Sequence, residues 1–118
     1  MTTQEIAARL TALCKEGKYE QAQKELYSAD AKSIEPAHSQ GLQTVVGLEN
    51  IIKKGDMFQS MVEEMHGGYV SDALVGGNHI SLAMGMDVTM KGMGRSKMDE
   101  IVVYEVKDGK IVKEEFFY

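Results

Sequence analysis

A chain of 118 residues, 43% hydrophobic and 26% charged, has material for one compact domain with a core and not for two. Its net charge of −5 argues against nucleic acid and against anionic membrane surfaces as partners, and no apolar run approaches the roughly 20 residues of a membrane span. One cysteine excludes an internal disulfide, and three scattered histidines (His38, His66, His79) lack metal-ligand spacing, so neither metal nor cofactor is expected.

The first residues carry no signal-peptide core, and a lone thiol suits a reducing compartment, so a cytoplasmic protein is expected. Thr2 and Glu5 make a capping-box pattern, and Ile6, Leu10, Leu13 and Cys14 follow at helical spacing up to Gly17. Cys14 reads as a packed thiol. A second short helix carries Tyr19, Ala22, Gln23 and Leu26 on one face and ends near Ser28. Residues 32–36 read as an extended piece in which Pro36 keeps Glu35 out of helical geometry, and Ala37–Gly47 as a mobile loop.

Leu48, Ile51, Ile52, Gly55, Phe58, Met61, Val62 and Met65 trace one stripe of a long amphipathic helix. Gly55 within it costs about 1 kcal/mol relative to alanine and predicts close packing against a strand. Lys53 and Lys54 read as a solvated face. Beyond Gly67 the period changes to two: a strand over Tyr69–Val75, a turn at Gly76-Gly77-Asn78, and a strand in which Ile80, Leu82, Met84, Met86, Val88 and Met90 share one face. After the turn at residues 91–94 comes a hairpin around Asp108-Gly109. A two-residue loop would pair Ile101 with Phe116; a three-residue loop, Lys107-Asp108-Gly109, pairs Glu100 with Phe116 and Tyr104 with Val112. The second is adopted. It gathers Met98, Val102, Tyr104, Val106, Val112, Phe116 and Tyr118 on one face, with Glu100 and Glu114 as diagonal neighbours there. The other face then carries Ile101, Val103, Ile111 and Phe117. Helices followed by an antiparallel meander predict an α+β fold.

This order, with its acid-Pro pair at Glu35-Pro36, resembles the nuclear transport factor two-like, or ketosteroid isomerase-like, superfamily. Met98-Asp-Glu-Ile-Val-Val-Tyr104, the Lys107–Val112 turn and Phe116-Phe-Tyr118 most resemble its SnoaL-like branch. The resemblance covers nearly the whole chain, read as one domain over residues 1–118. It implies a cone-shaped, highly curved antiparallel sheet wrapped around the helices, a pocket between the long helix and the sheet, and a homodimer. Glu35 matches the position of the isomerase's general base. Its helix-borne oxyanion tyrosine is matched by Leu10, so that donor is missing. Its second oxyanion acid is matched by Asp99, Glu100 or Val102.

Glu35, Glu100 and Glu114 are therefore the catalytic candidates: one carboxylate to abstract a proton α to a carbonyl, and interior carboxyls whose pKa desolvation and mutual repulsion would raise. The ligand-binding candidates are His66, Met84, Met86, Tyr104, Phe116 and Tyr118. His66 is read as orienting a ligand or donating to Glu35, and Phe116 and Tyr118 as closing the inner end of the pocket. The expected function is binding of a small, largely apolar carbonyl compound, with acid-base isomerase or cyclase chemistry. The alternative is a non-catalytic binding or dimerisation module of the same fold, since one scaffold carries many functions.

Overall fold

The structure is a computed structural model that describes residues 1–118. Helix α1 (Thr3–Lys15) starts where the sequence places it: the Thr2 hydroxyl accepts from the Glu5 amide and the Glu5 carboxylate from the Thr2 amide. It ends in a Schellman motif, with Gly17 at φ 75° while the Gly17 and Lys18 amides donate to the carbonyls of Cys14 and Leu13. Helix α2 (Tyr19–Leu26) runs straight into strand β1 (Tyr27–Ile34), which starts earlier than the extended piece expected at 32–36. The 37–47 segment includes a two-residue strand, β2 (Val45–Val46), before helix α3 (Leu48–Met61).

Helix α3 is four residues shorter than its apolar stripe suggests, because Val62 opens strand β3 (Val62–Val70) in place of a further helical turn. The strand expected over Tyr69–Val75 is instead split between β3 and a short β4 (Leu74–Gly76). Both lie along β5 (His79–Met90), which continues through β6 (Gly94–Lys107) into β7 (Lys110–Phe117). The sheet order is β2-β1-β7-β6-β5-β3, and it is mixed, since β1 runs parallel to β7. Along β3 the register slips at Glu63 and again at His66, two bulges that bend this edge. The helices cover one face of the open sheet, giving the α+β cone, and α1, α2, β1 and the inward residues of β5–β7 share one buried core. No helix is long and apolar enough to cross a membrane.

The hairpin corrects the adopted register. Asp108 and Gly109, at φ 52° and 75°, form a two-residue turn of the type that requires left-handed backbone at both positions. One bulge then shifts the ladder, so that Val106 faces Ile111 but Glu105 faces Lys113, with Val112 as the extra residue. Ile111 consequently points into the core with none of its surface exposed, and Val112 takes the half-buried place. Beyond the bulge Tyr104 pairs with Glu114 and Val102 with Phe116, so Glu100 and Glu114 share a face but are not diagonal neighbours. On the outer face Ala83, Ile101 and Phe117 form a row across three strands.

The bulge makes a direct prediction. Ile111→Ala should destabilise by about 2–5 kcal/mol, the usual range for a fully buried aliphatic, and Val112→Ala by clearly less. Denaturant melts of the two variants test it; the three-residue loop requires the reverse order.

Candidate functional site

Between α3 and the concave side of the sheet lies a cavity of about 580 Å³, within the size range of small-molecule sites. Period-two alternation aims Met84, Met86 and Met90 from β5, Met98, Glu100 and Tyr104 from β6, and Glu114 and Phe116 from β7 into it, and Tyr118, just past the end of β7, lines it as well. Ile51, Lys54, Gly55 and Phe58 line it from α3, spaced as one helical face. Leu10, Cys14, Tyr19 and Ala22 contribute from α1 and α2, and Ser39–Leu42 form part of its rim.

One wall carries a continuous polar network. The Glu35 carboxylate, with 3% of its side chain exposed, accepts from Lys54 Nζ at 2.8 Å on Oε2 and from the Tyr118 hydroxyl at 2.7 Å on Oε1. Lys54, whose side chain is 8% exposed, also donates to Ser33 Oγ at 2.6 Å and lies 5.3 Å from the centre of the Phe116 ring. Ser33, fully buried, donates to Glu114 Oε2 at 2.7 Å, and Tyr27 meets the other oxygen of Glu114. Burial pushes the Glu114 carboxyl up, against the pull of the Tyr27 and Ser33 hydrogen bonds. Burial also raises Tyr27 and Tyr104 well above the ordinary phenol value, with Glu114 as the next cause, so both remain protonated donors.

Two other polar residues of the cavity lining, Glu100 and Tyr104, are unpaired. Glu100 makes no hydrogen bond or ion pair within the chain, and burial, followed by repulsion from Glu35 and Glu114, lifts it to about 7. Tyr104 is 3% exposed, yet its hydroxyl has no partner and is not sealed off, so it opens on the cavity. Tyr19 lines the same region; burial raises it, then the neighbouring Cys14 and Glu100. Cys14 itself is pushed up to about 12 by burial, which keeps it an unreactive thiol.

The three glutamates singled out in the sequence line one cavity, as do Met84, Met86, Tyr104, Phe116 and Tyr118. His66 does not. It is a bulge residue of β3, with Nε2 2.7 Å from Thr89 Oγ1, and lies outside the cavity lining, away from Glu35. Tyr118 does not close an inner end either: it is 46% exposed, and its hydroxyl also lies 2.9 Å from Ser39 Oγ on the rim. Of the two methionines on the expected helical stripe, Met61 reaches the cavity, while Met65 is exposed. Among the positions matched to the isomerase's second acid, Val102 is core and Asp99 accepts from Tyr69, which leaves Glu100. Lys54 is the largest correction, because it is no solvated lysine. Its position three residues after Ile51 and four before Phe58 was the available signal, since that places it on the inward stripe. Ser33 and Tyr27 had no comparable mark.

A curved α+β sheet closed over a mainly apolar cavity, with carboxyls on its wall, defines the nuclear transport factor two-like class of fold. Within it the chain belongs to the SnoaL-like domain family, whose sequence profile matches residues 1–118. It is similar to a candidate SnoaL-like polyketide cyclase from Mesorhizobium loti, at 36% identity and TM-score 0.93 over 100% of both chains. It shares its fold with a nuclear transport factor two-like protein from Burkholderia thailandensis (16% identity, TM-score 0.83, 99% of this chain and 90% of that one). A ketosteroid isomerase-like protein from Catenulispora acidiphila has it as well (19%, 0.73, 99% and 87%). A comparison with curated proteins gave no match.

The buried pair predicts a thermodynamic cycle. Lys54→Met should cost about 3–5 kcal/mol by stranding Glu35, and adding Glu35→Gln should recover much of the loss. Melts of the parent, both single variants and the double variant measure it; additive losses would show that the two groups do not interact.

Proposed function

We propose that the cavity binds a small, largely apolar carbonyl compound and moves a proton on it, with Glu100 as the acid and Glu35 as the base. The observation that carries this reading is Glu100: an unpartnered carboxyl in a desolvated cavity, lifted to about 7, where a group gives and takes protons most effectively near neutral pH. In its protonated form it offers an O–H to a carbonyl oxygen, and the free hydroxyl of Tyr104 faces the same cavity from further along β6. Glu35 is held by Lys54 and Tyr118, and a carboxylate with two such partners retains lone pairs for a third. The proposed step takes a proton from the carbon α to the carbonyl onto Glu35, while the C–H electron pair forms the enol double bond and Glu100 gives its proton to the oxygen. Return of a proton at another carbon completes an isomerisation; attack of the enol carbon on a second carbonyl closes a ring. The candidate polyketide cyclase from Mesorhizobium loti supports a carbonyl-bearing substrate. The occupied oxygens of Glu35 favour the second reading, a binding module without turnover.

Linkage sets the pH signature. Glu100 is raised, so its stabilising contribution is complete below its ordinary value of 4.5 and is lost as pH rises to about 7. Glu100→Gln should therefore match the parent near pH 4 and exceed it at pH 8 by an amount on the order of 3 kcal/mol. On the same reading, deuterium exchange α to the carbonyl in a panel of apolar ketones should fall as pH passes 7 and vanish in Glu35→Gln. NMR titration of the glutamate carboxyls, melts at the two pH values and the exchange assay test the set. A Glu100 that titrates like an exposed glutamate, with no exchange on any ketone, leaves the binding module.

The outer row of Ala83, Ile101 and Phe117 supports a homodimer, with Ile101 45% and Phe117 50% exposed. Ile111, expected in this patch, is core and takes no part. Sedimentation at tens of micromolar, roughly where weak dimers form, should give a dimer that Phe117→Lys converts to a monomer; a monomeric parent removes the dimer from the proposal.

A further inference from the structure

Gly55 breaks a local rule without compensation inside the chain. A glycine in mid-helix is about 1 kcal/mol worse than alanine, and such a residue ordinarily marks a place where another backbone comes too close for a side chain. No such neighbour exists, because a Cβ built on Gly55 would meet nothing within 4 Å. Nor does the position face bulk solvent. Gly55 follows Ile51, 1% exposed, by one helical turn and precedes Phe58, which lines the cavity, so its missing side chain would project inward. The space left open is cavity space. Local rules broken without structural return are expected where function requires them.

We propose that Gly55 is a specificity-determining residue: it is a notch in the inward face of α3 into which the apolar body of the ligand packs, directly against the helix backbone. The notch adjoins Lys54, whose ammonium is fixed by Glu35 and Ser33. A body seated there lies beside the charged wall, and the methionines of β5 and β6 line the facing side with polarizable thioethers that suit a flat ring system. The ligand class is therefore a carbonyl compound with a body wider than one ring; a narrower one binds without using the notch. This inference rests on the small-molecule reading of the cavity.

The test uses the full chain with two ketones, 2-acetylnaphthalene and acetophenone, and the two hydrocarbons of the same widths, naphthalene and benzene. Gly55→Ala and Gly55→Phe are compared with the parent by calorimetric or NMR titration and by thermal melts. Gly55→Ala should raise Tm by about 3–5 °C, since it removes a helix penalty without a clash. Gly55→Phe should remain folded and weaken 2-acetylnaphthalene and naphthalene at least about tenfold, while acetophenone changes by less than about twofold; tenfold corresponds to about 1.4 kcal/mol. A lowered Tm in Gly55→Ala would show that the glycine serves packing and would overturn the proposal. So would wide ligands that bind Gly55→Phe as they bind the parent, or a parent that binds none of the four. If the hydrocarbons discriminate and the ketones gain nothing over them, the carbonyl reading fails and the notch stands.

Discussion

The ammonium of Lys54 is the point on which the cavity depends. It joins α3 to Glu35 just beyond β1, to Ser33 within β1 and to the Phe116 ring on β7, so one side chain fixes the helix against two strands. Desolvating such a charge is costly, and pairing alone seldom returns the cost. Here its partners are supplied by elements that meet only in the folded cone, so the pair selects one rotation of α3 over the sheet more than it adds stability. That rotation turns Ile51, Gly55 and Phe58 inward. Without it the apolar face and the notch would not look at the thioethers opposite.

Much of the fold could be read from short-range chemistry. The capping box and Gly17 bound α1 because their partners lie within a few residues. The period-two run of β5 declares its inward face for the same reason. What failed depended on contacts distant in sequence. The stripe through Val62 and Met65 is helical in spacing, but pairing with β5 turns that segment into strand, since Val62 meets Met90 and Met65 meets Val88. Gly55 suggested a close strand and opens a cavity, because a missing side chain in sequence does not say whether protein or ligand occupies the space.

The site was legible in a partial and instructive way. The three-residue loop gave the wrong partners along the hairpin, yet Glu100 and Glu114 still face the cavity. The adopted register and the true one differ beyond the bulge by two positions, and side chains alternate with period two, so the error cancels in the choice of face. It does not cancel next to the turn, where Ile111 and Val112 exchange places. Lys54 was legible on the helical wheel but hidden by the ordinary expectation that lysines are solvated.

The direction of the hydrogen bonds then determines which carboxyl can respond to a ligand. An ammonium only donates, so Ser33 must accept from Lys54 and spend its single proton on Glu114 Oε2. Tyr27 donates to the other oxygen of Glu114, so both oxygens of that carboxyl are already taken. Beside it Glu35 and Lys54 form a buried ion pair. Glu100 remains as the cavity carboxyl without a hydrogen-bond partner, since the Lys54 charge that draws on it is already bonded to Glu35 and Ser33. A ligand oxygen cannot recruit Glu114 without disturbing Ser33, Tyr27 and the lysine behind them, whereas Glu100 can rebond at no cost to the rest of the network. The rigid network and the free acid are thus two halves of one arrangement: the first holds the wall in place, and the second is left available to whatever enters.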